Sequence, residues 1–485
     1  METKEVHLFP HLTLDAVENI HGFKLCSYLI ALEGWRRGLK LTWYKDESEL
    51  CKLDRLNSST QGKFYSLSDG EKTHYFFRSR GDKVANKTVR IVQDKVKTKE
   101  YLSKAGVPVP LGDSFENDND IINYAEKVGY PVIVKPLKGS MGKGVHTNIT
   151  NREELTSVLQ ELRSRYKYKE YMIEKHYDGN EYRIYVVGDK VIGATNRVPA
   201  NVVGDGQNTI EELIKLKNIE RKKNPYLAPK PIKVDYEVKN LLKISGFNLD
   251  SIPAEGERVF LRDKSNLSTG GDPIEATDEL SEEVQQIAVD TLKALPSIPH
   301  AGVDIIVDPN NNTKGVVLEA NATAEIGFHL FPLEGKAKDV PGAVIDYYFP
   351  KSKNTVKSSF FFDYNSIIEP LKQWAAEEIV IAKPPVKNEV IKRIIVTGKL
   401  KKLGYMNFIR RQALRKGLHG KVQHIDDTTI EIKLWNANEG NIKDFIELCK
   451  KGSKKSKVEN VQVNELKEDV EIPEKLGFHI ISAID

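Results

Sequence analysis

The sequence predicts a multidomain protein of mixed α+β and α/β class, and three observations lead to this prediction. The chain has 485 residues, which is enough for several domains at the usual size of about 100–200 residues each. Apolar residues make up 40% and charged residues 29%, the balance of an ordinary globular protein. Short apolar runs alternate with helical stretches along most of the chain, a pattern typical of mixed sheets covered by helices.

Composition excludes several classes of protein. The formal net charge is only +4, which is too small for a chain dedicated to nucleic acid. The three cysteines, Cys26, Cys51 and Cys449, have no metal-ligand spacing and are too few for a disulfide framework. No run of about 18 apolar residues occurs, and the first residues lack a signal-peptide pattern. We therefore expect a cytoplasmic protein with no membrane partner.

Changes in pattern along the chain predict four segments. Residues 1–88 read as a small α/β domain, with a helix ending near Gly38 and strands at 39–44 and 74–78. It carries no recognisable chemistry, so a packing and substrate-supporting role is expected. Residues 89–350 form the main domain, 351–388 a linker with Pro384-Pro385 near its end, and 389–485 a separate C-terminal domain.

The main domain has clear helix and strand signals. Helix 94–105 is stopped by Gly106, and Thr150-Asn-Arg-Glu153 reads as a capping box that opens the next helix. Another helix is predicted at 281–295. The predicted strands are 131–135, 171–174, 181–187, 190–194, 302–307 and 315–319.

The C-terminal domain predicts a βαββαβ order, which is the order of a split-βαβ sandwich. Its strands are expected at 390–398, 420–425, 428–435, 457–464 and 477–482, and its helices at 406–416 and 439–450.

A glycine-rich turn at Lys138–Gly144 is the first candidate for chemistry. Its glycines would let backbone N–H groups approach phosphate oxygens closely. The spacing fits neither a Walker A loop nor a Rossmann fingerprint, so a plain hairpin turn is the alternative. Lys95 and Lys135 lie upstream and could each offer a point charge to a polyphosphate, although surface cations are the alternative for either one alone.

Oxygen-bearing side chains follow on two apolar strands. Asp304 lies inside the run Ala301-Gly-Val-Asp-Ile-Ile, and Glu319-Ala-Asn321 ends the next strand. Two carboxylates and an amide on neighbouring strands suit Mg²⁺ bound between protein and nucleotide phosphates. A buried carboxylate needs a partner, so a salt bridge to Lys or Arg is the alternative for Asp304.

Residues 89–350 resemble the ATP-grasp module of cyanophycin synthetase and of bifunctional glutathione synthetase. The residues that carry this resemblance occur in the family order: Asp94-Lys95-Val-Lys-Thr-Lys99, Pro131-Val-Ile-Val-Lys135-Pro, Arg197-Val-Pro-Ala-Asn-Val-Val-Gly-Asp-Gly206, Val259-Phe-Leu-Arg262-Asp-Lys-Ser-Asn266-Leu-Ser-Thr-Gly-Gly271, Asp304 and Glu319-Ala-Asn321. The resemblance implies an ATP-grasp fold and an ATP-dependent carboxylate–amine ligase that forms an amide through an acylphosphate.

The resemblance also implies roles for individual residues. Lys95 and Lys135 would hold ATP phosphates under a closing loop, Glu174 to His176 would form the adenine hinge, and Glu181 would meet the ribose. Arg262 would steady the acylphosphate, although Arg183, Arg197 or Arg258 could also face the site. The full implied set comprises catalytic Arg262 and Lys143, nucleotide-binding Lys95, Lys135, Gly139, Ser140, Met141, Gly142, Gly144, Glu174, Lys175, His176 and Glu181, and Asp304, Glu319 and Asn321 as ligands of two Mg²⁺ ions.

Two departures from the family affect the substrate. The Mur-ligase-like module of cyanophycin synthetase and the glutamate–cysteine ligase half of the glutathione enzyme have no match. Ala324, Glu325 and Gly327 stand where the cyanophycin pattern has Pro, Gly and Arg. Losing that arginine removes a clamp for a carboxylate, so we expect a neutral or cationic acceptor, with amino acids or short peptides as substrates.

The C-terminal domain resembles acylphosphatase, through Gly398, Leu403-Gly404-Tyr405 and Lys416-Gly-Leu-His-Gly420-Lys-Val422-Gln423. Where that family carries its phosphate-binding arginine and its water-orienting asparagine, this chain has Met406 and His424. Methionine cannot bind phosphate bidentately. We therefore expect a retained fold used for docking, dimerisation or regulation, with acylphosphate hydrolysis as the alternative.

Four further hypotheses remain open. Twelve Lys/Arg against the single acid Glu389 between Ile381 and Lys421 allow contact with RNA or another polyanion, although charge runs are usually solvated faces. The ATP site could belong to a non-catalytic nucleotide sensor or to a small-molecule kinase. Enzymes of this resemblance are often homo-oligomers.

Overall fold

The computed structural model describes residues 6–45, 53, 61–137, 144–166, 168–385, 391–400, 402–435, 439–466 and 472–481. The chain divides into two compact units. Unit 1 comprises residues 1–8, 83–324 and 328–340, and unit 2 comprises 9–82, 325–327 and 341–485. Across the described ranges, none of the helices has both the length and the apolar character that a bilayer crossing requires.

The helices alternate with strands in both units. Their bounds are α1 Phe23–Arg36, α2 Asn86–Gln93, α3 Lys95–Lys104, α4 Asp118–Val128, α5 Arg152–Arg165, α6 Ile210–Lys223, α7 Tyr236–Ile244, α8 Glu282–Ala294, α9 Gly327–Leu330, α10 Val340–Tyr348, α11 Tyr364–Lys372, α12 Lys402–Arg415 and α13 Glu439–Lys451.

Within the described ranges, the strands build six sheets. Their bounds are β1 Lys40–Tyr44, β2 Phe64–Ser68, β3 Thr73–Phe77, β4 Arg80–Gly81, β5 Gly112–Phe115, β6 Val132–Pro136, β7 His146–Ile149, β8 Tyr171–Lys175, β9 Asn180–Val187, β10 Lys190–Val198, β11 Asn201–Val203, β12 Arg258–Phe260, β13 Asp272–Glu275, β14 His300–Asp308, β15 Asn311–Asn321, β16 Phe361–Phe362, β17 Glu378–Val380, β18 Ile391–Lys399, β19 His419–His424, β20 Thr429–Trp435, β21 Lys457–Leu466, β22 Lys475–Leu476 and β23 Phe478–Ile481.

Unit 1 contains a four-stranded sheet in the order β5-β8-β6-β7. Alternation along β6 buries Val132 and Val134 in a core shared with helices α4 and α5. Because successive side chains point to opposite faces of a strand, Lys135 lies on the face away from that core. Glu174 on β8 lies on the same face, since its neighbour Ile173 points into the core.

A second sheet of unit 1 has the order β13-β10-β9-β14-β15, and α8 contacts β14 and β15. The antiparallel register pairs Asp304 on β14 with Arg183 on β9 and with Glu319 on β15. Helices α2 and α3 also contact β15. The register therefore places three charged side chains side by side on neighbouring strands of this sheet.

A smaller part of unit 1 is built from the β11–β12 hairpin with helices α6 and α7. Its core contains Ile210, Leu213, Val238 and Leu242 from the helices and Val259 from the hairpin. The capping box at the start of α6 is complete, because the Thr209 and Glu212 side chains each accept from the other residue's backbone N–H.

In unit 2, strand β17 completes a sheet in the order β17-β1-β2-β3-β4. The segment 351–388, expected as a linker, contributes β16, α11 and β17 to this unit. Trp35 of α1 lies edge-on to Phe362 and donates its indole N–H to the Ala382 carbonyl at 2.7 Å. Residues far apart in the chain therefore share one core.

The C-terminal sheet of unit 2 has the order β21-β18-β20-β19-β23, with α12 and α13 packed on it. This agrees with the predicted βαββαβ order to within a few residues at each strand. The basic segment between residues 381 and 421 forms ion pairs with acidic side chains. Arg410 contacts Glu369 at 3.2 Å, and Lys416 contacts Asp444 at 3.1 Å.

One predicted cap is wrong by one residue. The N-cap of α5 is Asn151, whose side chain accepts from the Glu154 N–H at 2.8 Å, and Glu154 accepts in return from the Thr150 N–H. Asparagine and threonine are both good N-cap residues, so the sequence alone did not decide between them.

We predict that Gly417→Ala destabilises the protein more than Gly106→Ala. Both glycines follow a helix with positive φ, +63° and +77° respectively, but only at Gly417 would a Cβ collide with a neighbour, the Val380 carbonyl. The left-handed backbone alone should lower the free energy of unfolding by about 1–2 kcal/mol in Gly106→Ala. Steric overlap should add about 1–3 kcal/mol in Gly417→Ala. Urea denaturation of both variants measures the difference, and equal losses would contradict the close approach of 417 to 380.

Candidate functional site

Two lysines and one glutamate form a largely buried ion network on the β5-β8-β6-β7 sheet, on the face that lies away from its apolar core. Glu174 accepts from the Lys99 ammonium at 2.9 Å and also from Lys135. Burial works to raise the pKa of Glu174, but Lys135 and Lys99 outweigh it and hold that pKa below its ordinary value. Glu174 is therefore charged, and it positions two ammonium groups.

Lys95 joins this network from the first turn of α3. Its pKa is lowered by burial and then by the positive charge of Lys135, while Glu319 and Glu174 work to raise it. Lys95 therefore lies within the electrostatic reach of both the lysine–glutamate network and Glu319 of the second sheet. The structure brings these predicted residues together.

Asp304 is buried among arginines. Its carboxylate contacts Arg183 through both oxygens, one of them at 2.7 Å from Nη2, and Arg197 Nη2 lies 2.9 Å from Oδ2. Burial works to raise the pKa of Asp304, but Arg183 and Arg197 outweigh it and lower that pKa to about 2. The salt bridge that the sequence left open for Asp304 is present.

Glu319 and Asn321 stand beside this ion pair. The Asn321 amide donates to Glu319 Oε1 at 3.0 Å, and Arg183 Nη2 lies 3.8 Å from the same oxygen. The pKa of Glu319 is raised by burial and then by the negative charge of Asp304. Two facing carboxylates with an amide oxygen are a donor set that fits Mg²⁺, because a divalent cation prefers oxygen ligands and would offset their repulsion.

No cluster of three or more His, Cys, Asp or Glu side chains with metal-binding geometry occurs in the part of the chain that the structure describes. A magnesium site at Asp304 and Glu319 would therefore use two carboxylates and would take its remaining ligands from Asn321, water or a bound phosphate.

The residues expected to meet adenosine already have protein partners. The Lys175 N–H donates to the Leu111 carbonyl at 2.7 Å and the His176 N–H to the Pro131 carbonyl at 3.0 Å. The Lys175 ammonium contacts the carbonyls of Gly129 and Tyr130. Glu181 contacts Arg197 and the Ser265 hydroxyl. Their assigned nucleotide roles remain predictions.

Arg262 follows β12 and is paired with two carboxylates near the start of α7. Its guanidinium contacts Asp235 at 2.6 Å and also Glu237, and it donates to the Thr269 carbonyl at 3.2 Å. Of the four arginines that the sequence considered, Arg183 and Arg197 are the ones in contact with Asp304 within the described ranges. Arg258 instead donates to Asn201 at 3.2 Å.

A cleft of 530 Å³ is lined by residues of β7, α5, the first turn of α7 and the segment 263–264. Its lining includes Gly144, His146, Glu237, Asp263 and Lys264. The Lys264 ammonium donates to the Val145 carbonyl at 3.2 Å. Gly144 has φ +70°, and an added Cβ would stand 3.0 Å from Pro136. The predicted loop residues Gly139, Ser140, Met141, Gly142 and Lys143 lie outside the described residues, as does Cys51.

Sequence reasoning missed Lys99 and Ser265 as members of the site, and it named Arg183 only as an alternative to Arg262. Lys99 follows Lys95 by one helical turn, so the two share a face of α3. Arg183 follows Glu181 by two residues on β9, so both point to one side of the sheet. These spacings were sequence signals for Lys99 and Arg183, whereas Ser265 approaches Glu181 only through the tertiary fold.

Comparison with known families agrees with this geometry. The RimK-like ATP-grasp domain family matches residues 92–207, and the acylphosphatase family matches residues 392–480. The chain thus contains an ATP-grasp domain, followed by an acylphosphatase domain.

Individual proteins are also similar to this chain. The cyanophycin synthetase of Synechocystis sp. is 33% identical over 269 residues, covering 54% of this chain and 31% of that protein. The glutathione biosynthesis bifunctional protein of Pasteurella multocida is 37% identical over 275 residues, covering 54% and 36%. A solved bifunctional glutathione synthetase from the same organism aligns at a TM-score of 0.52 and 28% identity, covering 70% of this chain and 45% of that structure. The chain spans about a third of the length of these two curated relatives.

The raised pKa of Glu319 predicts a pH effect on stability. Since the folded-state pKa lies above the unfolded value, folding favours the protonated carboxyl, and this group's contribution becomes more unfavourable as pH rises through that interval. Glu319→Gln should therefore gain stability relative to the wild type as pH rises, in magnesium-free buffer. Urea denaturation across pH 4–8 measures this, with Glu100→Gln on the exposed face of α3 as the control. Parallel curves for Glu319→Gln and wild type would contradict the repulsion from Asp304.

Proposed function

We propose that this protein is an ATP-dependent carboxylate–amine ligase. The observation that carries the proposal is the position of Lys95, which lies within the electrostatic influence of both Lys135 and Glu319. Ammonium groups for a polyphosphate and oxygen ligands for its cation thereby meet at one place, which is what phosphoryl transfer requires. The ATP-grasp relatives, named cyanophycin synthetase and glutathione biosynthesis bifunctional protein, support the same class of reaction.

The proposed reaction has two steps. A substrate carboxylate oxygen attacks the γ-phosphorus of ATP, the bond to ADP breaks, and an acylphosphate forms. A substrate amine then attacks the acyl carbon, the carbon–oxygen bond to phosphate breaks, and the amine loses a proton to give the amide. Neither step needs a covalent bond to the enzyme, so the protein's contribution is positioning and charge stabilisation.

We assign the phosphate contacts to Lys95 and Lys135, together with the glycine-rich loop. Lys99 is added to the set because its Nζ lies 2.9 Å from Glu174 Oε1, and Glu174 also contacts Lys135. Glu174 holds both ammonium groups at fixed positions, and the two lysines together with this one glutamate keep a net positive charge. Ordered cations of this kind stabilise charge that develops on the transferred phosphoryl group.

Asp304, Glu319 and Asn321 would hold magnesium, which when bound would neutralise phosphate charge. The number of ions, two by the resemblance, is part of the proposal. Arg183 keeps Asp304 ionised, since its positive charge lowers the pKa of that carboxyl. We assign to Arg262 and Lys143 the stabilisation of the acylphosphate, supported by the cleft that joins the segments 144–149 and 263–264.

The substrates are proposed to be an amino acid or short peptide and an amine of the same kind, as the names of the relatives suggest. Glu325 belongs to unit 2, where its negative charge works to raise the pKa of Arg78. The neutral or cationic acceptor expected from the sequence remains a proposal.

The C-terminal domain is proposed to act without hydrolysing acylphosphates. Met406, which replaces the family's arginine, is buried in the domain core with Tyr405 and Ile409. It thus packs as an apolar core residue and offers no charge to a phosphate. A docking or regulatory role fits the aromatic contacts of Trp35 with Phe362 and His419 in unit 2.

We predict that phosphate release depends on a carboxylate and an amine together, and that Glu319→Gln lowers it by at least about 100-fold. Pairs of amino acids and dipeptides are screened with ATP and magnesium, and the product mass identifies the amide. Glu100→Gln, an exposed change on α3, should keep the wild-type rate. Phosphorylation of a single substrate without an amine would favour a kinase, and ATP binding with no turnover for any pair would favour a nucleotide sensor.

We further predict that the full-length protein does not hydrolyse acetyl phosphate or benzoyl phosphate. An active acylphosphatase needs a cationic cradle, and Met406 cannot supply one. Phosphate release is measured without ATP for the full-length protein and for the isolated 389–485 fragment. Hydrolysis by either preparation, if lost on His424→Ala, would overturn the proposal of a retained, non-hydrolytic fold.

A further inference from the structure

The residues around Arg183 and Asp304 include three buried polar atoms that have no hydrogen-bond partner within the described ranges. They are Arg197 Nε, the Thr323 hydroxyl oxygen and His329 Nε2, and all three residues belong to unit 1. A buried polar atom without a partner costs stability, so such atoms are uncommon in folded proteins and call for a water, an ion or a ligand. We refer to Arg197, Thr323 and His329 as the donor group.

Arg197 connects the donor group to the charged row of the second sheet. Thr195 on β10 lies opposite Arg183 on β9, and Arg183 lies opposite Asp304 on β14. Arg197 follows Thr195 by two residues, so their side chains point to the same face of the sheet. Arg197 Nη2 lies 2.9 Å from Asp304 Oδ2. The unpartnered Nε therefore belongs to a guanidinium that already contacts the buried carboxylate.

His329 lies over the same face, next to the β10 member of this row. Its Nδ1 stands 3.1 Å from the Thr195 hydroxyl oxygen, and its carbonyl accepts from the Lys338 N–H at 2.8 Å. A Cβ added at Gly193, two residues before Thr195, would stand 3.3 Å from Nδ1. His329 is 1% exposed. The imidazole is thus held on its Nδ1 side, whereas Nε2 has no partner in the described part of the chain.

The turn that follows β15 brings Thr323 to this face as well. Its neighbour Ala324 packs where β14 lacks a side chain, because a Cβ added at Gly302 would stand 2.8 Å from Ala324 Cβ. The same added Cβ would stand 2.9 Å from Arg183 Cδ. Gly302 and Asp304 are two residues apart on β14, so they point to one face. The turn that carries Thr323 is therefore held against the sheet beside Arg183.

All three unpartnered atoms are suited to donate a hydrogen bond. Arg197 Nε always carries a hydrogen, and a threonine hydroxyl rotates to donate. Burial and then Arg183 lower the pKa of His329 to about 3, so its imidazole is neutral. With the Thr195 hydroxyl donating to Nδ1, the ring hydrogen resides on Nε2. Three donors beside two arginines fit an acceptor that carries negative charge, such as a carboxylate.

We propose that Arg197, Thr323 and His329 bind the substrate carboxylate that becomes phosphorylated. This proposal rests on the ligase function proposed above and adds the residues that select a carboxylate. The lysines assigned to the ATP phosphates lie on α3 and on the smaller sheet, so the substrate carboxylate is the reactant oxyanion that still lacks an assigned contact. Bound beside Asp304, it would lie next to the proposed magnesium ligands, where its oxygen could attack the γ-phosphorus of ATP.

The binding test uses the full-length protein with magnesium and the non-hydrolysable ATP analogue AMP-PNP. Each standard amino acid and the dipeptide alanylalanine serve as carboxylate probes. At least one probe should raise the melting temperature of the wild type, because a ligand that binds only the folded state stabilises it. The carboxamide of that same probe should not, since it lacks the anionic oxygen. Calorimetry then gives the affinity of the best probe.

Thr323→Val removes the unpartnered hydroxyl with little change in shape. Without a probe this variant should melt at the wild-type temperature or above it, because the buried hydroxyl has no partner to lose. Its affinity for the probe should fall at least about tenfold, while its affinity for AMP-PNP stays unchanged. Thr291→Val is the matched control, since that buried hydroxyl on α8 donates to the Ile287 carbonyl at 2.8 Å. The control should keep the wild-type affinity for the probe.

Two histidine variants separate the ring nitrogens. His329→Asn can replace the contact of Nδ1 with Thr195 but cannot reach the position of Nε2, so it should bind the probe at least about tenfold more weakly. His329→Gln, whose amide can reach that position, should restore part of the affinity.

Three results would overturn the carboxylate subsite. They are no response of the wild type to any probe, an unchanged probe affinity in Thr323→Val or His329→Asn, and a loss of AMP-PNP affinity in place of probe affinity. Failure of the ligase proposal is seen separately, as an absence of phosphate release for every substrate pair, and the binding measurements decide the subsite without turnover.

Discussion

The cross-strand register of β9, β14 and β15 is the constraint on which the candidate site depends. It sets Asp304 opposite both Arg183 and Glu319 on adjacent strands, so one buried carboxylate meets a cation on one side and a second carboxylate on the other. Buried charges persist only where partners are fixed. A slip of one residue would turn every one of these side chains to the opposite face, and the apolar residues around them hold the register in place.

The lysine–glutamate network applies the same principle on the smaller sheet. Glu174 alone would be costly to bury, and Lys99 and Lys135 alone would repel each other. Together they form a positively charged group whose members cannot swing freely. Because both this network and Glu319 act on the pKa of Lys95, two sheets of unit 1 contribute to one electrostatic environment. Pre-arranged charge of this kind is what catalysis of phosphoryl transfer depends on.

The C-terminal domain has the acylphosphatase fold with an apolar side chain, Met406, at a position that the resemblance assigned to phosphate binding. Met406 occupies the core with Tyr405 and Ile409, so that position now contributes packing. The structure also ties segments distant in sequence into unit 2: strand β17 pairs with β1, and Trp35 donates to the Ala382 carbonyl. Fold does not imply function, and the proposal of a non-hydrolytic domain therefore rests on the chemistry of Met406.

The sequence by itself determined the class of fold, the order of the elements in the C-terminal sandwich, and the candidate residues Lys95, Lys135, Asp304 and Glu319, because periodicity and local motifs are properties of contiguous residues. Only the tertiary structure decided that Asp304 pairs with Arg183 and Arg197, that Arg262 contacts Asp235 and Glu237, and that segment 351–388 completes the sheet containing β1. These contacts join residues from about 25 positions apart, for Arg262, to more than a hundred, for Asp304 and for β17 with β1, and the partner in each case is selected by the tertiary fold. No local pattern encodes that choice.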